Sequence, residues 1–114
     1  MTVSPATRSP VAAEVRTELE RVVERWRQLP LDHALSSAGR VRALVQSLAD
    51  RVAQAVTGVP APAVPDCGPA TLMDQLTVMV YDASAALVTP TGTSTPTGMS
   101  TLAQDLASLR RELR

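Results

Sequence analysis

Apolar residues recur along this chain at alternating intervals of three and four positions, the spacing of one buried face of an α-helix. The pattern predicts four helices, over about 11–29, 31–57, 69–88 and 101–113. Pro30 ends the first helix because its ring clashes with the preceding turn, and Thr57-Gly58 ends the second. The third has the widest apolar surface and is expected to be the most buried.

Three segments lack this periodicity. Residues 1–10 are polar and contain two Pro, which predicts a disordered arm, and the Thr/Pro/Gly-rich residues 89–99 predict a flexible linker. Residues 58–68 contain three Pro and two Gly, so we expect an extended, polyproline-like connector that crosses a neighbouring helix. Its Val59 and Val64 are expected to touch the core. The chain then divides into an arm (1–10), a helical bundle (11–88), a linker (89–99) and a C-terminal amphipathic helix (100–114).

These elements predict an all-α fold, a small helical bundle of three main helices plus a short C-terminal helix on a flexible tether. The segment Thr77–Tyr81 also has strong β-propensity, but no second strand is present to pair with it, so helix is the better interpretation. A kink or restart of the second helix at Ser37 is left open. Trp26 lies on the seam of the first helix and is expected to be buried against helix two or three.

Composition narrows the classes of function. Eleven basic and eleven acidic residues balance, which argues against a nucleic-acid binder and against a polybasic membrane-surface segment. No run approaches the ~20 apolar residues of a membrane span and no leader is recognised, so we expect a cytoplasmic protein. All the basic residues are Arg, and Lys, Asn, Ile and Phe are absent, a usage typical of a GC-rich bacterial genome.

The sequence assembles no set of residues for catalysis or for binding a metal or cofactor. His33 is the only histidine, and Asp32 beside it shares no helix face with it. Cys67 precedes a predicted helix N-terminus, and a catalyst built on this thiol would need His33 as its base, so we expect no enzyme. Asp74 and Asp82 are interpreted as a solvated acidic edge of the third helix.

We therefore expect a non-enzymatic interaction or assembly protein, either a homo-oligomer that pairs through helix one or two or an accessory subunit that binds a protein partner. The residues expected to bind a partner form the apolar stripe of the last helix: Leu102, Leu106, Leu109 and Leu113. We expect this stripe to pack on helix three, in the same chain or a dimer mate, because residues 58–88 are acidic and residues 100–114 are slightly basic. The alternative is a helix that stays free until an outside partner binds.

Two other functions are weighed against this interpretation. A small regulator could contact nucleic acid through Arg40, Arg42 and Arg51, although the long second helix does not supply a helix-turn-helix spacing. Trp26-Arg27-Gln28 precedes a helix–helix connection, and in a chain of this length it resembles the small WXG-type substrates of specialised secretion. Gln28 stands where those proteins carry Gly. That resemblance implies a secreted small helical protein as a further alternative.

Overall fold

The computed structural model describes residues 12–87 and 96–113 of the chain. These residues form four α-helices and no strand, which confirms the all-α fold class. The helices are α1 (Ala13–Gln28), α2 (Leu31–Thr57), α3 (Leu72–Ala86) and α4 (Pro96–Glu112), with a 3₁₀ turn at Pro69–Thr71 before α3. The predicted arm and most of the predicted linker lie outside the described residues.

Most helix boundaries follow from local chemistry. The chain is extended at Leu29 and Pro30, which separates α1 from α2. Gly58 ends α2 with a φ of 78°, the left-handed conformation that glycine adopts without steric cost. α2 continues through Ser37 without a break, and Thr77–Tyr81 lies inside α3, as the helical interpretation required.

The start of the last helix was placed too late by the sequence pattern. α4 begins at Pro96, inside the predicted linker, and not at Ser100 or Thr101. Proline is favoured in the first turn of a helix because the N–H that it lacks would have no helical partner there. The Thr/Pro/Gly composition of residues 89–99 predicted a linker, although Met99 lies three residues before Leu102 and continues the apolar stripe of the helix.

The helices pack as two pairs, α2 with α3 and α1 with α4. α3 runs in the same direction as α2: Gln75 near its beginning lies beside Gln46, and Ala83 near its end lies beside Val52. Since α1 and α2 pack mainly on other helices, they do not form a simple two-helix hairpin. The parallel course of α2 and α3 depends on the connector, which must return along the length of α2.

One hydrophobic core joins all four helices. Its largest fully buried apolar side chains are Val15, Val22, Val41, Val45, Leu48, Leu72, Leu76, Val80, Leu102, Leu106 and Leu113. Trp26 only packs against the edge of this core and is partly buried, which corrects the expectation that it is buried. Arg25, the residue before it, donates a hydrogen bond to the carbonyl of Leu113, just beyond the end of α4.

The connector runs back along α2, a neighbouring helix, as expected, and side-chain hydrogen bonds from α2 and α3 hold its backbone. The Val64 N–H donates to Gln46 Oε1 at 2.7 Å, and Gln46 Nε2 donates to the Pro62 carbonyl at 3.2 Å. The Ala61 N–H donates to an Asp50 carboxylate oxygen at 3.2 Å. Val64 packs against the core as expected, whereas Val59 is 59% exposed and does not.

Replacing Gln46 by Ala is expected to lower the free energy of unfolding by about 1–2 kcal/mol. The change removes the partners of Val64 N–H and the Pro62 carbonyl and leaves the connector without its central attachment. Urea denaturation followed by circular dichroism measures the loss. Gln28→Ala, which removes a side chain bonded only to exposed Glu24, is the matched control. Equal effects of the two variants would show that the connector is not held through Gln46.

Ser84 carries a hydroxyl that the described residues leave without a hydrogen-bond partner, in a side chain that is 0% exposed. Because an unpaired buried hydroxyl destabilises the folded state, Ser84→Ala is expected to raise the free energy of unfolding by about 1 kcal/mol. Ser100→Ala, at an exposed position of α4, measures the gain from helix propensity alone. A lower stability of Ser84→Ala in thermal unfolding would contradict this prediction.

Candidate protein-interaction site

The residues with catalytic potential do not meet in the structure. Cys67 is exposed in the connector, and Asp66 beside it lies 3.1 Å from the guanidinium of Arg42 in α2. His33 is exposed in the first turn of α2, about 13 Å from Arg42 along the helix axis at 1.5 Å per residue. A thiol nucleophile needs a base within hydrogen-bond reach, and this arrangement does not supply one. Within residues 12–87 and 96–113, no three His, Cys, Asp or Glu side chains are grouped to hold a metal ion.

The four leucines that the sequence assigns to partner binding lie in the core of this chain. Leu102, Leu106, Leu109 and Leu113 are at most 4% exposed. Together with Met99 and Ala103 they form the buried face of α4. In this arrangement they offer no surface to a second chain, and their role in partner binding stays a prediction that would require α4 to leave the core.

α4 docks on α1 and to a smaller extent on α2, which corrects the expectation that it packs on helix three. Three ion pairs join α4 to these helices: Arg110 with Glu18 of α1 at 3.1 Å, and Asp105 and Glu112 with Arg51 and Arg40 of α2, both at 2.7 Å. The order of the last two pairs shows that α4 runs antiparallel to α2. The expectation used the net charge of whole segments, but salt screens attraction beyond about 8–10 Å, so individual contacts decide the packing.

The three arginines of the nucleic-acid alternative are each paired with a carboxylate of the same chain. Arg40 pairs with Glu112, Arg42 with Asp66 and Arg51 with Asp105. Phosphate binding would have to displace these carboxylates before it released any counterions. The structure therefore offers no support for a nucleic-acid surface at these positions.

An open groove between α1 and the end of α4 is rich in arginine. It is lined by Arg21, Arg25, Arg110 and Arg111 together with Glu20 and Glu24. Arg21 and Arg110 both pair with Glu18, and Arg25 donates to the Leu113 carbonyl at 2.7 Å. Because a carboxylate and a carbonyl of the same chain already bind three of these four arginines, the groove is a poor site for an anion.

One helix carries apolar side chains on the side that faces away from the core. Leu76 and Val80 of α3 are 0% exposed, whereas Val78 is 54% and Tyr81 is 41% exposed. At 100° per residue, five exposed residues share an arc of about 100° opposite the buried side. We call this set the outer face of α3: Asp74, Val78, Tyr81, Asp82 and Ala85.

The outer face combines an apolar centre with negative charge. Val78, Tyr81 and Ala85 are spaced by three and then four residues, the spacing of a helix–helix seam. Asp74 lies on the same row, four residues before Val78, and Asp82 lies at its edge. Neither carboxylate has an ion-pair or hydrogen-bond partner among the described residues. As expected from the sequence, both carboxylates are exposed.

Sequence reasoning identified the acidic edge but missed Val78 and Tyr81. The buried seam of the third helix was predicted from Leu72, Leu76, Met79, Ala83 and Ala86, and its flank from Met73, Val80 and Leu87. Val78 and Tyr81 belong to neither set. Apolar residues outside a seam that is already complete are the pattern that could have indicated a second apolar face.

Comparison with protein-family models, with curated proteins and with solved structures finds no match. The resemblance to WXG-type proteins thus receives no support from these comparisons. None of the helices in residues 12–87 and 96–113 is both long and apolar enough to cross a membrane.

Proposed function

We propose that this chain is a non-enzymatic helical interaction protein that binds a protein partner through the outer face of α3. The observation that carries the proposal is the exposure of Val78 and Tyr81 on a helix whose opposite side is fully buried. Tyr81 is one of only two aromatic residues in the chain. Tyrosine is enriched at protein interfaces because it offers a large apolar area together with a polar hydroxyl.

The size of the surface favours an accessory role. Two large side chains and one alanine bury far less than the ~800 Å² per partner of a standard stable interface. The outer face alone therefore supports a weak contact, or one part of a larger contact with a partner that extends beyond it. This property fits an accessory subunit better than a permanent homodimer.

The α1 helix offers less to a partner than the sequence led us to expect. Its exposed residues are mostly charged, and they include Glu14, Arg16, Glu20, Arg21 and Glu24. α2 exposes an apolar pair, Leu31 and Leu35, in its first turns. The outer face is the stronger candidate for two reasons. Its apolar residues have the spacing of a helix–helix seam, and its only charges are negative, so both features indicate the kind of partner it would bind.

Affinity capture from a lysate of the source cells tests the proposal. We expect a partner that is retained by the parent protein and reduced about tenfold by the double variant Val78→Ser/Tyr81→Ser. Val56→Ser is the matched control, because Val56 is 75% exposed on α2 and the change should leave retention unaltered. Retention of the same proteins by all three chains, or of none by the parent, would overturn the proposal.

A cytoplasmic location and a bacterial source remain predictions from composition. The secreted, WXG-like alternative also stays a prediction, since no residue beyond Trp26 supports it.

A further inference from the structure

The charge of the outer face selects its partner. Residues 58–88 contain no basic residue, so α3 itself supplies no counter-charge to Asp74 and Asp82. Elsewhere in the bundle, Glu18, Asp66, Asp105 and Glu112 each pair with an arginine. Unpaired carboxylates of one sign beside exposed apolar side chains form a surface that complements a positively charged, apolar partner.

A second copy of this chain does not complement the outer face through the same surface. A symmetric pair presents the same patch from both subunits. Such a pair would place four carboxylates around a few apolar side chains, with no basic side chain of α3 between them. Like charges in this arrangement oppose association.

The negative charge of the outer face also argues against binding to a membrane or to nucleic acid. The cytoplasmic leaflet of membranes and the phosphates of nucleic acids are both negative, so they repel Asp74 and Asp82. The seam spacing of Val78, Tyr81 and Ala85 instead fits the ridge of another helix. With Val78 and Tyr81 in the two seam positions, Asp82 takes the next position, where paired helices form interhelical ion pairs.

We infer that the occupant of the outer face is an amphipathic helix of another protein, with an apolar stripe flanked by arginine or lysine. This inference rests on the proposed function and adds the chemistry of the partner. Val78, Tyr81 and Ala85 pack against the apolar stripe. Asp74 and Asp82 pair with the flanking cations, which sets the orientation of the incoming helix.

Two synthetic helical peptides with the same apolar stripe test the inference, one flanked by arginine and lysine and the other by glutamate. Amide chemical shifts of the full chain report where each peptide binds. We expect the cationic peptide to shift residues 72–86 and to bind about tenfold more weakly at high than at low ionic strength. The anionic peptide should leave these residues unchanged.

Variants separate charge from apolar contact. Asp74→Asn/Asp82→Asn should weaken binding of the cationic peptide about three- to tenfold, which is the effect of losing two exposed ion pairs. Glu14→Gln/Glu20→Gln, which removes the same charge from the exposed side of α1, should change binding less than twofold. Val78→Ser/Tyr81→Ser should weaken binding of the peptide about tenfold or more, with Val56→Ser as its control.

Each contrary result has a defined meaning. Equal binding of both peptides at the outer face overturns the inferred charge selection and leaves the proposed function in place. Self-association that Val78→Ser/Tyr81→Ser abolishes, measured by sedimentation, shows that the occupant is a second copy and likewise overturns only the inference. If neither peptide binds, the chain stays monomeric and lysate capture is unaffected by the variants, then the inference and the proposed function both fail.

Discussion

Replacing Leu106 by Ala is expected to lower the free energy of unfolding by about 2–5 kcal/mol, the range for truncating a fully buried leucine. Leu106 is 0% exposed and lies within the core that α4 shares with the other helices. The whole free energy of unfolding of a small domain is only about 5–15 kcal/mol, so this variant should lose a large part of its stability. Chemical denaturation measures the change, followed both by circular dichroism, which reports helix, and by the fluorescence of Trp26.

Leu31→Ala provides the matched control for Leu106→Ala. Leu31 lies in a helix but is 73% exposed, so the same chemical change should cost at most about 0.5 kcal/mol. If the C-terminal helix did not pack on the core in the absence of a partner, the two variants would have the same free energy of unfolding. Similar stabilities of Leu106→Ala and Leu31→Ala would therefore restore the partner-binding role that the sequence assigned to the last helix.

Local features of the fold were predictable because short-range chemistry determines them. Gly58 ends α2 through a conformation that only glycine adopts freely, and Pro30 lies between α1 and α2. The proline spacing of residues 58–68 excluded helix and central strand, which left an extended connector. Each of these inferences needed only a few neighbouring residues.

The packing of helices and the interaction site were less predictable because they depend on distant residues. The leucine spacing of α4 shows which face is buried but not which helix covers it, and the contacts of Arg110 with Glu18 join positions far apart in sequence. In the sequence Gln46 is an ordinary polar residue, and only the fold shows that the connector returns to it. Val78 and Tyr81 became candidates only when the positions of all four helices showed that the described residues leave them about half exposed.

Replacing Trp26 by Ala is expected to lower the free energy of unfolding by about 2–3 kcal/mol, less than the 3–5 kcal/mol typical of a fully buried aromatic residue. The indole packs against the core from its margin and keeps part of its surface in water. Because Trp26 is the only tryptophan, the fluorescence of the parent protein reports this position alone. We expect an emission maximum between those of a buried and a free indole, with intermediate quenching by acrylamide.

Arg27→Ala is the control for Trp26→Ala, since Arg27 is the next residue of α1 and is exposed. Its effect should stay within about 0.5 kcal/mol, as for most surface substitutions. Emission of a fully buried indole, with a loss above about 4 kcal/mol in Trp26→Ala, would mean that a further part of the chain or a second copy covers the end of α1. Emission of free indole would instead mean that the last turn of α1 does not pack on the core.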